Sequence, residues 1–260
     1  MFIIKLGGSV ITDKSKKYTY KKEIADRLSS ELKKANKEYI LVHGAGSFGH
    51  ILAKEYKLNQ GFTDKKQLKG FSLTHAMVQK LNTMVLDSLH ENDIDAVSIP
   101  PHVVLKLDDH KLLKIDYDIF KDCLDGGFTP VSFGDVALDA KLGFSICSGD
   151  LLVQLFAEHF KPEKVIFVID EDGIYNSNPK INKNAKLIDS ASIDDLEKLT
   201  TSADVHDDVT GGMSGKIDTI KNIAEHNVDT ILVNGNKPDR LYKVLVGEKT
   251  TCTIIYGGKK

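Results

Sequence analysis

Cysteine is scarce in this chain. Cys123, Cys147 and Cys252 are scattered and odd in number. No CxxC or Cys/His spacing suggests zinc, and no even set builds a disulfide framework, so a reducing cytoplasm is the expected setting. An excess of one charge sign is also missing. The formal net charge is -2, so no broad positive surface invites nucleic acid, and lysines interleave with acids as on solvated helix faces. No apolar run approaches a membrane span of ~20 residues. The stretch from Met1 to Leu6 is too short and too interrupted for a signal peptide. Fixed-period repeats, low-complexity segments and a GxxxxGK(S/T) loop are all absent. With 41% apolar and 28% charged residues over 260 positions, the chain suits one large α/β domain or two small lobes.

Glycine turns after apolar runs are what the sequence has instead. Tyr39 to Val42 reads as a buried strand, followed by His43-Gly44-Ala45-Gly46-Ser47-Phe48-Gly49-His50 and a helical pattern from Ile51. Strand, glycine loop and helix start outline an anion site: glycine lets the backbone approach a ligand, and free N–H groups favour negative charge. His50 adds a donor there, or is a surface histidine on a tight turn. Phe2 to Leu6 is a strand that runs into Gly7-Gly8-Ser9. Its Lys5 is costly to bury unless it meets an anion, or it snorkels from a strand end. Lys14 is near enough to the glycine turn to lean over a phosphate, or is simply solvated.

Further along, residues 20–35 read as an amphipathic helix, and 59–66 as an exposed, mobile loop. A long helix spans about 67–91, with a stripe of Thr74, Met77, Val78, Leu81, Met84, Val85, Ser88 and Leu89. Such a stripe is core, or its first turns near Phe71, Thr74 and Met77 wall an apolar pocket. Hairpins are expected at 103–113 and around 141–143. Ser148-Gly149-Asp150 opens a helix: as a plain N-cap, or with Gly149 against a phosphate and Asp150 holding lysines. Strand 164–169 ends in Asp170-Glu171-Asp172-Gly173-Ile174-Tyr175, either a surface turn or the sheet edge where open α/β folds place ligands. A short helix near 193–199 precedes Gly211-Gly212, which lead into a helix with Lys216 one turn inside. Strands alternating with helices make the class α/β with a largely parallel sheet. Four glycine turns on one edge, bringing Lys5, Lys14, Lys216 and His50, suggest a site for several phosphates.

Lys-Leu-Gly-Gly-Ser at 5–9, His-Gly-Ala-Gly at 43–46, Ser-Gly-Asp at 148–150, Asp-Glu-Asp-Gly-Ile-Tyr at 170–175 and Asp-Val-Thr-Gly-Gly-Met-x-x-Lys at 208–216 resemble the amino acid kinase superfamily, in order and across nearly the whole chain. Within it, Gly-Ser-Phe-Gly-His at 46–50 resembles the isopentenyl phosphate kinases, where a histidine here binds the acceptor phosphate. The resemblance implies a three-layer αβα sandwich over 1–260, with an acceptor lobe (about 1–160) and a nucleotide lobe (about 161–260). It implies a cytoplasmic homodimer that uses ATP and Mg²⁺ to convert isopentenyl phosphate to the diphosphate. By the same resemblance Lys5 and Lys14 lie along the transferring group and Lys216 reaches the ATP phosphates. Gly7, Gly8, Ser9, Gly46 and Gly212 line those phosphates, with Asp170 and Tyr175 on the nucleotide side. Ala45, Gly46, His50 and Gly149 meet the acceptor, Asp150 orients the lysines, and Phe71, Thr74, Met77 and Ile146 wall the tail. Two positions depart from the pattern. Ala45 stands where many relatives have glycine, and Ile169 and Glu171 where Thr and Val are frequent. The competing expectations are a sister kinase with another small phosphate, phosphonate or carboxylate acceptor, and a non-catalytic nucleotide-binding protein of the same fold.

The chemistry agrees with the resemblance. A phosphate monoester has its second pKa near about 6, so at neutral pH the acceptor is already mostly dianionic. It needs no general base, only relief of repulsion between two phosphates and in-line positioning.

Overall fold

Short apolar runs that end in glycine or a carboxylate become the strands of one central sheet. The computed structural model describes residues 1–177, 179, 181–196 and 211–258. In chain order the strands are β1 (Phe2–Leu6), β2 (Tyr39–His43), β3 (Ala96–Ser98), β4 (Leu105–Asp108), β5 (Lys111–Ile115), β6 (Thr129–Phe133), β7 (Asp135–Asp139), β8 (Gly143–Cys147), β9 (Lys164–Ile169), β10 (Ser190–Ala191), β11 (Asp229–Asn234) and β12 (Cys252–Ile255). Eight of them form the main sheet, in the order β10-β12-β11-β9-β1-β2-β6-β3. Among the described strands the pairs from β11 to β3 are all parallel, β12 runs antiparallel to its neighbour β11, and β10 runs parallel to β12.

Both faces of the sheet are covered, which is why β1, β2 and β9 are apolar at nearly every position. Alternation along the strand decides which layer each residue joins. Phe2, Ile4 and Leu6 pack with Leu28 and Leu32 of α2 (Lys22–Ala35) and with Leu81 and Val85 of α4 (Lys66–His90). Ile3 packs on the other face, with Leu152, Val153 and Phe156 of α7 (Gly149–Phe160) and Ile220 and Ile223 of α8 (Gly211–Glu225). Lys5 has the parity of Ile3. Its side chain therefore leaves the strand on the α7 face, where Asp150 is the second residue of the helix. The expected αβα sandwich with a largely parallel sheet is the observed architecture.

A smaller sheet, β5-β4-β7-β8, stands beside the main one. Its β4–β5 hairpin turns at Asp109-His110, both at positive φ, and Asp139 caps that turn and the next by accepting from the amides of Asp109, His110, Lys141 and Leu142. Two expectations change. The helix after β2, α3 (Gly46–Glu55), starts within the glycines, so His50 sits one turn inside it rather than at its first residue. The 59–66 segment is tied down: the Gln67 side-chain oxygen accepts from the Thr63 and Asp64 amides, and Leu58–Gln60 form a 3₁₀ turn. Of the short helix expected at 193–199, residues 193–196 are helical. Its remainder, Asn178 and residues 208–210 of the glycine–lysine motif lie outside the described residues.

Candidate active site

The loops after β1 and β2 press against each other because both are glycine. A Cβ on Gly8 would lie 2.5 Å from the Gly46 amide nitrogen, and one on Gly44 would lie 2.7 Å from that of Gly8. Thr12, at the end of α1 (Gly8–Ile11), clasps the pair: its hydroxyl donates to the Gly8 carbonyl at 2.6 Å and accepts the Ser47 amide at 3.0 Å. Gly46 also needs φ of +49°. Two helix starts are thereby brought side by side at the C-terminal edge of the sheet. Gly8→Ala is expected to cost at least about 3 kcal/mol, the upper range for forced overpacking, because the clash is with backbone. Thermal melting measures it; an unchanged melting temperature would show that the loops separate freely.

Two lysines meet on one carboxylate. Lys5 Nζ lies 2.6 Å and Lys216 Nζ 3.1 Å from the same Asp150 oxygen, Oδ1. Both ammonium groups also approach the face of Phe167 on β9. Burial, then repulsion from Lys216, lowers the Lys5 pKa to about 8 against the pull of Asp150. Burial alone would raise the Asp150 carboxyl, yet the attraction of Lys5 and Lys216 holds it below the ordinary carboxylate value. Ser148 does cap α7, accepting the Leu151 amide, so the cap and the lysine clamp coexist on adjacent residues.

Lys5, Asp150, Gly8, Gly149 and His50 line one cavity of about 130 Å³. Its remaining wall includes Ala53, Val136 and Ile146, which belong to a small core cluster with Phe144, so the cavity has a contiguous apolar side. His50 opens onto the cavity. The surrounding protein bulk, then the charges of Lys5 and Lys14, hold its pKa below the ordinary histidine value, while Asp150 pulls upward. His43, by contrast, is fully buried against Phe133 and hydrogen-bonded to Asn82, and burial brings its pKa to about 4. It is a neutral structural residue.

The other candidates fall in several places. Ala45 and Thr74 line the cavity. Phe71 packs behind its wall at a tilt against Phe144, with ring centroids 5.3 Å apart. Met77 is a correction: it is not among the residues that line the cavity and packs instead, partly buried, against the core cluster that holds Leu81 and Val85, because the step along α4 from Thr74 takes it past the cavity edge. Lys14 is exposed and lies 3.8 Å from Asp170, which also accepts from the Ser9 hydroxyl at 2.9 Å. Gly7 donates its amide to Val168 at the end of β9. Gly212 lies in the first turn of α8. Tyr175 pairs with Leu187 in an isolated bridge beyond the strand ends.

Ala53, Val78, Gly134, Asp135, Val136 and Cys147 also line the cavity, and none of them stood out as a site residue in the sequence. Gly134 follows β6 as Gly44 follows β2, and a Cβ there would lie 3.0 Å from the Gly149 amide nitrogen. The strand-then-glycine signal was available. Val136 had no signal, since its parity in a side sheet decides its direction.

The amino acid kinase family matches residues 1–234. The isopentenyl phosphate kinase of Methanothermobacter thermautotrophicus is 39% identical, with 99% of each chain covered. That of Methanocaldococcus jannaschii is 37% identical over 95% of each. A crystal structure of isopentenyl phosphate kinase superposes with a TM-score of 0.87 at 35% identity, covering 98% of this chain and 99% of the other. UMP kinase from Ureaplasma parvum, at 17% identity and a TM-score of 0.68, shares the fold alone. The paired glycine loops, the lysines on Asp150 and these full-length matches lead to one assignment: the chain belongs to the amino acid kinase family.

Proposed function

We propose that this chain transfers the γ-phosphoryl group of ATP to the phosphate of isopentenyl phosphate, giving isopentenyl diphosphate and ADP. The observation that carries the reading is a cavity with two kinds of wall. Lys5, His50 and the glycine loops supply charge and amide donors, and Ala53, Val136 and Ile146 supply an apolar side. A branched five-carbon tail on a phosphate has the same two parts. The acceptor oxygen attacks the γ-phosphorus, the bond to the β–γ bridging oxygen breaks, and ADP leaves with that electron pair. No proton need move, because the acceptor is a dianion. Lys5 and Lys216 offset the charge on the transferring group, Asp150 keeps both ammonium groups in register, and His50 binds the acceptor phosphate. Lys14 lies along the transferring group, and like Ser9, which lines the nucleotide phosphates, it reaches Asp170.

Mg²⁺ fits as a companion of the nucleotide. Among the described residues no carboxylate cluster gathers at the phosphate site, where Asp150 is engaged by two lysines, and Mg²⁺ takes its ligands from phosphate oxygens, water and at most one or two carboxylates. Asp170 is the carboxylate placed to take part. When bound, the ion neutralises phosphate charge. We assign the acceptor to residues of about 1–160 and the nucleotide to about 161–260, and expect a homodimer working in the cytoplasm. Among the described residues, no helix is long and apolar enough to cross a membrane. An acceptor panel with ATP and Mg²⁺ tests the reading. Turnover of isopentenyl phosphate is expected; turnover of acetylglutamate or fosfomycin without it, or ATP binding with no transfer to any acceptor, would overturn it.

Two results should follow. Ile146→Phe is expected to lower kcat/KM for isopentenyl phosphate by about 10–100-fold, the range of one or two methylene groups in a pocket, while Ile146→Ala admits longer tails. Met77→Phe should leave tail preference unchanged. Acceptor kinetics with a chain-length series decide, and equal effects at both positions would sink the assignment of the wall.

The second result is a pH dependence with opposite signs. In the ligand-free fold Lys5 titrates near 8, against an ordinary 10.5. Between those values the unfolded chain binds more protons, so stability rises with pH. The same proton loss removes a charge from the phosphate site. Above pH 8, kcat/KM for ATP is expected to fall about tenfold per pH unit, while the melting temperature does not fall with it. A flat kcat/KM profile to pH 10 would remove Lys5 from nucleotide binding.

A further inference from the structure

His75 on α4, His102 on α5 (Pro101–Val104) and Asp135 at the start of β7 converge from three elements distant in sequence. His75 Nδ1 lies 2.7 Å from Asp135 Oδ2, and His102 Nδ1 lies 3.8 Å from the same oxygen. The two imidazole rings meet edge to face at 4.1 Å. The phosphate chemistry uses none of the three side chains. We propose that His75, His102 and Asp135 form a binding site for a transition-metal dication of the Zn²⁺ class.

Three observations favour a metal over a plain ion pair. The donors are two imidazole nitrogens and one carboxylate oxygen, all within 4.8 Å of one another, which is the donor set of three-ligand zinc sites. Tetrahedral ligands at zinc bond lengths stand about 3.3 Å apart, between the two distances found. Most telling, His102 Nδ1 is buried with no hydrogen-bond partner while it faces a wholly buried carboxylate. Such a nitrogen is costly to leave unpaired, and a cation held in common would satisfy it. Asp135 Oδ1 accepts the Val136 amide, which fixes the carboxylate with Oδ2 turned to the histidines, the kind of outer support that metal ligands receive. Nitrogen donors select Zn²⁺, Co²⁺ or Ni²⁺ over Mg²⁺, so this site is distinct in chemistry from the nucleotide's ion. The ion would join α4 and α5 to β7, whose Asp135 and Val136 also line the cavity, and so fasten the side sheet to the helical layer.

The test uses the untagged full chain, stripped with a chelator and titrated with Zn²⁺ alone. Wild type is expected to bind one equivalent, with an affinity at least about 100-fold above that of His102→Phe or His75→Gln, since losing a ligand should exceed the 10–100-fold cost of losing an outer-shell partner. Zn²⁺ should raise the melting temperature of wild type only, and excess Mg²⁺ should not displace it. His102→Phe keeps a ring in the packing, and its far-ultraviolet dichroism reports that it is folded. Zn²⁺ binding that is absent in wild type, or equal in wild type and folded His102→Phe, would overturn the site. Neither outcome depends on phosphoryl transfer.

Discussion

His50→Ala is expected to leave the KM for ATP within about twofold while kcat/KM for isopentenyl phosphate falls by about 100–1000-fold, the loss that follows removal of one preorganised donor. The asymmetry comes from position. His50 shares its cavity with Ala45, Gly49 and Ile146, on α3 and the side sheet, whereas Lys216 and Asp170 belong to α8 and the end of β9. Its protonation adds a second readout. In the ligand-free site, protein bulk and the Lys5 and Lys14 charges disfavour the imidazolium; a bound dianion reverses that, because opposite charge raises a histidine pKa. Acceptor binding near neutral pH should therefore take up protons. Calorimetry in buffers of different ionisation enthalpy should record more uptake for wild type than for His50→Ala. His50→Gln, which keeps a donor without the charge, should recover part of the affinity and none of the extra uptake. Acceptor kinetics in His50→Ala that match wild type would end the role given to this residue.

How far the sequence reached depends on what each feature needs. Strand-then-glycine is local, and it marked the loops at 7–8, 44–49 and 149 because close backbone approach admits no Cβ. The parallel sheet was legible for a related reason: strands covered on both faces are apolar at nearly every position, as β1, β2 and β9 are. Lys5 was conspicuous as a cation in such a strand, and parity alone turns it toward α7. What failed was local in sequence but tertiary in cause. Met77 shares a stripe with Thr74, yet the angular step along α4 separates cavity from core. The 59–66 segment has loop composition, and Gln67 ties it down through side-chain bonds that composition does not encode. His75, His102 and Asp135 meet only because the side sheet folds against α4 and α5, so no spacing announced them.

Asp150→Asn should produce the largest combined loss, and in a way that separates stability from catalysis. One oxygen accepts both ammonium groups, so its charge offsets two cations that otherwise face each other. Breaking a buried ion pair by removing one partner costs about 3–5 kcal/mol. The Asp150 side chain is 24% exposed, so the lower end, about 3 kcal/mol, is expected, or roughly 6–12 °C in melting temperature at 2–4 °C per kcal/mol. Lys5, which titrates near 8 even beside the carboxylate, should lose its proton at lower pH still, and kcat should fall by about 100–1000-fold as the ammonium groups lose charge and register. Anions then become the discriminating probe. Sulfate or ATP can neutralise the lysines in place of the missing carboxylate, so each should raise the melting temperature of Asp150→Asn more than that of wild type. Adding Lys216→Met to Asp150→Asn should restore part of the stability, since one unpaired cation is gone, while activity falls further, since the phosphate has lost its partner. A double variant that regained activity along with stability would mean that Lys216 acts on the fold alone, and that the clamp on Asp150 serves packing rather than phosphoryl transfer.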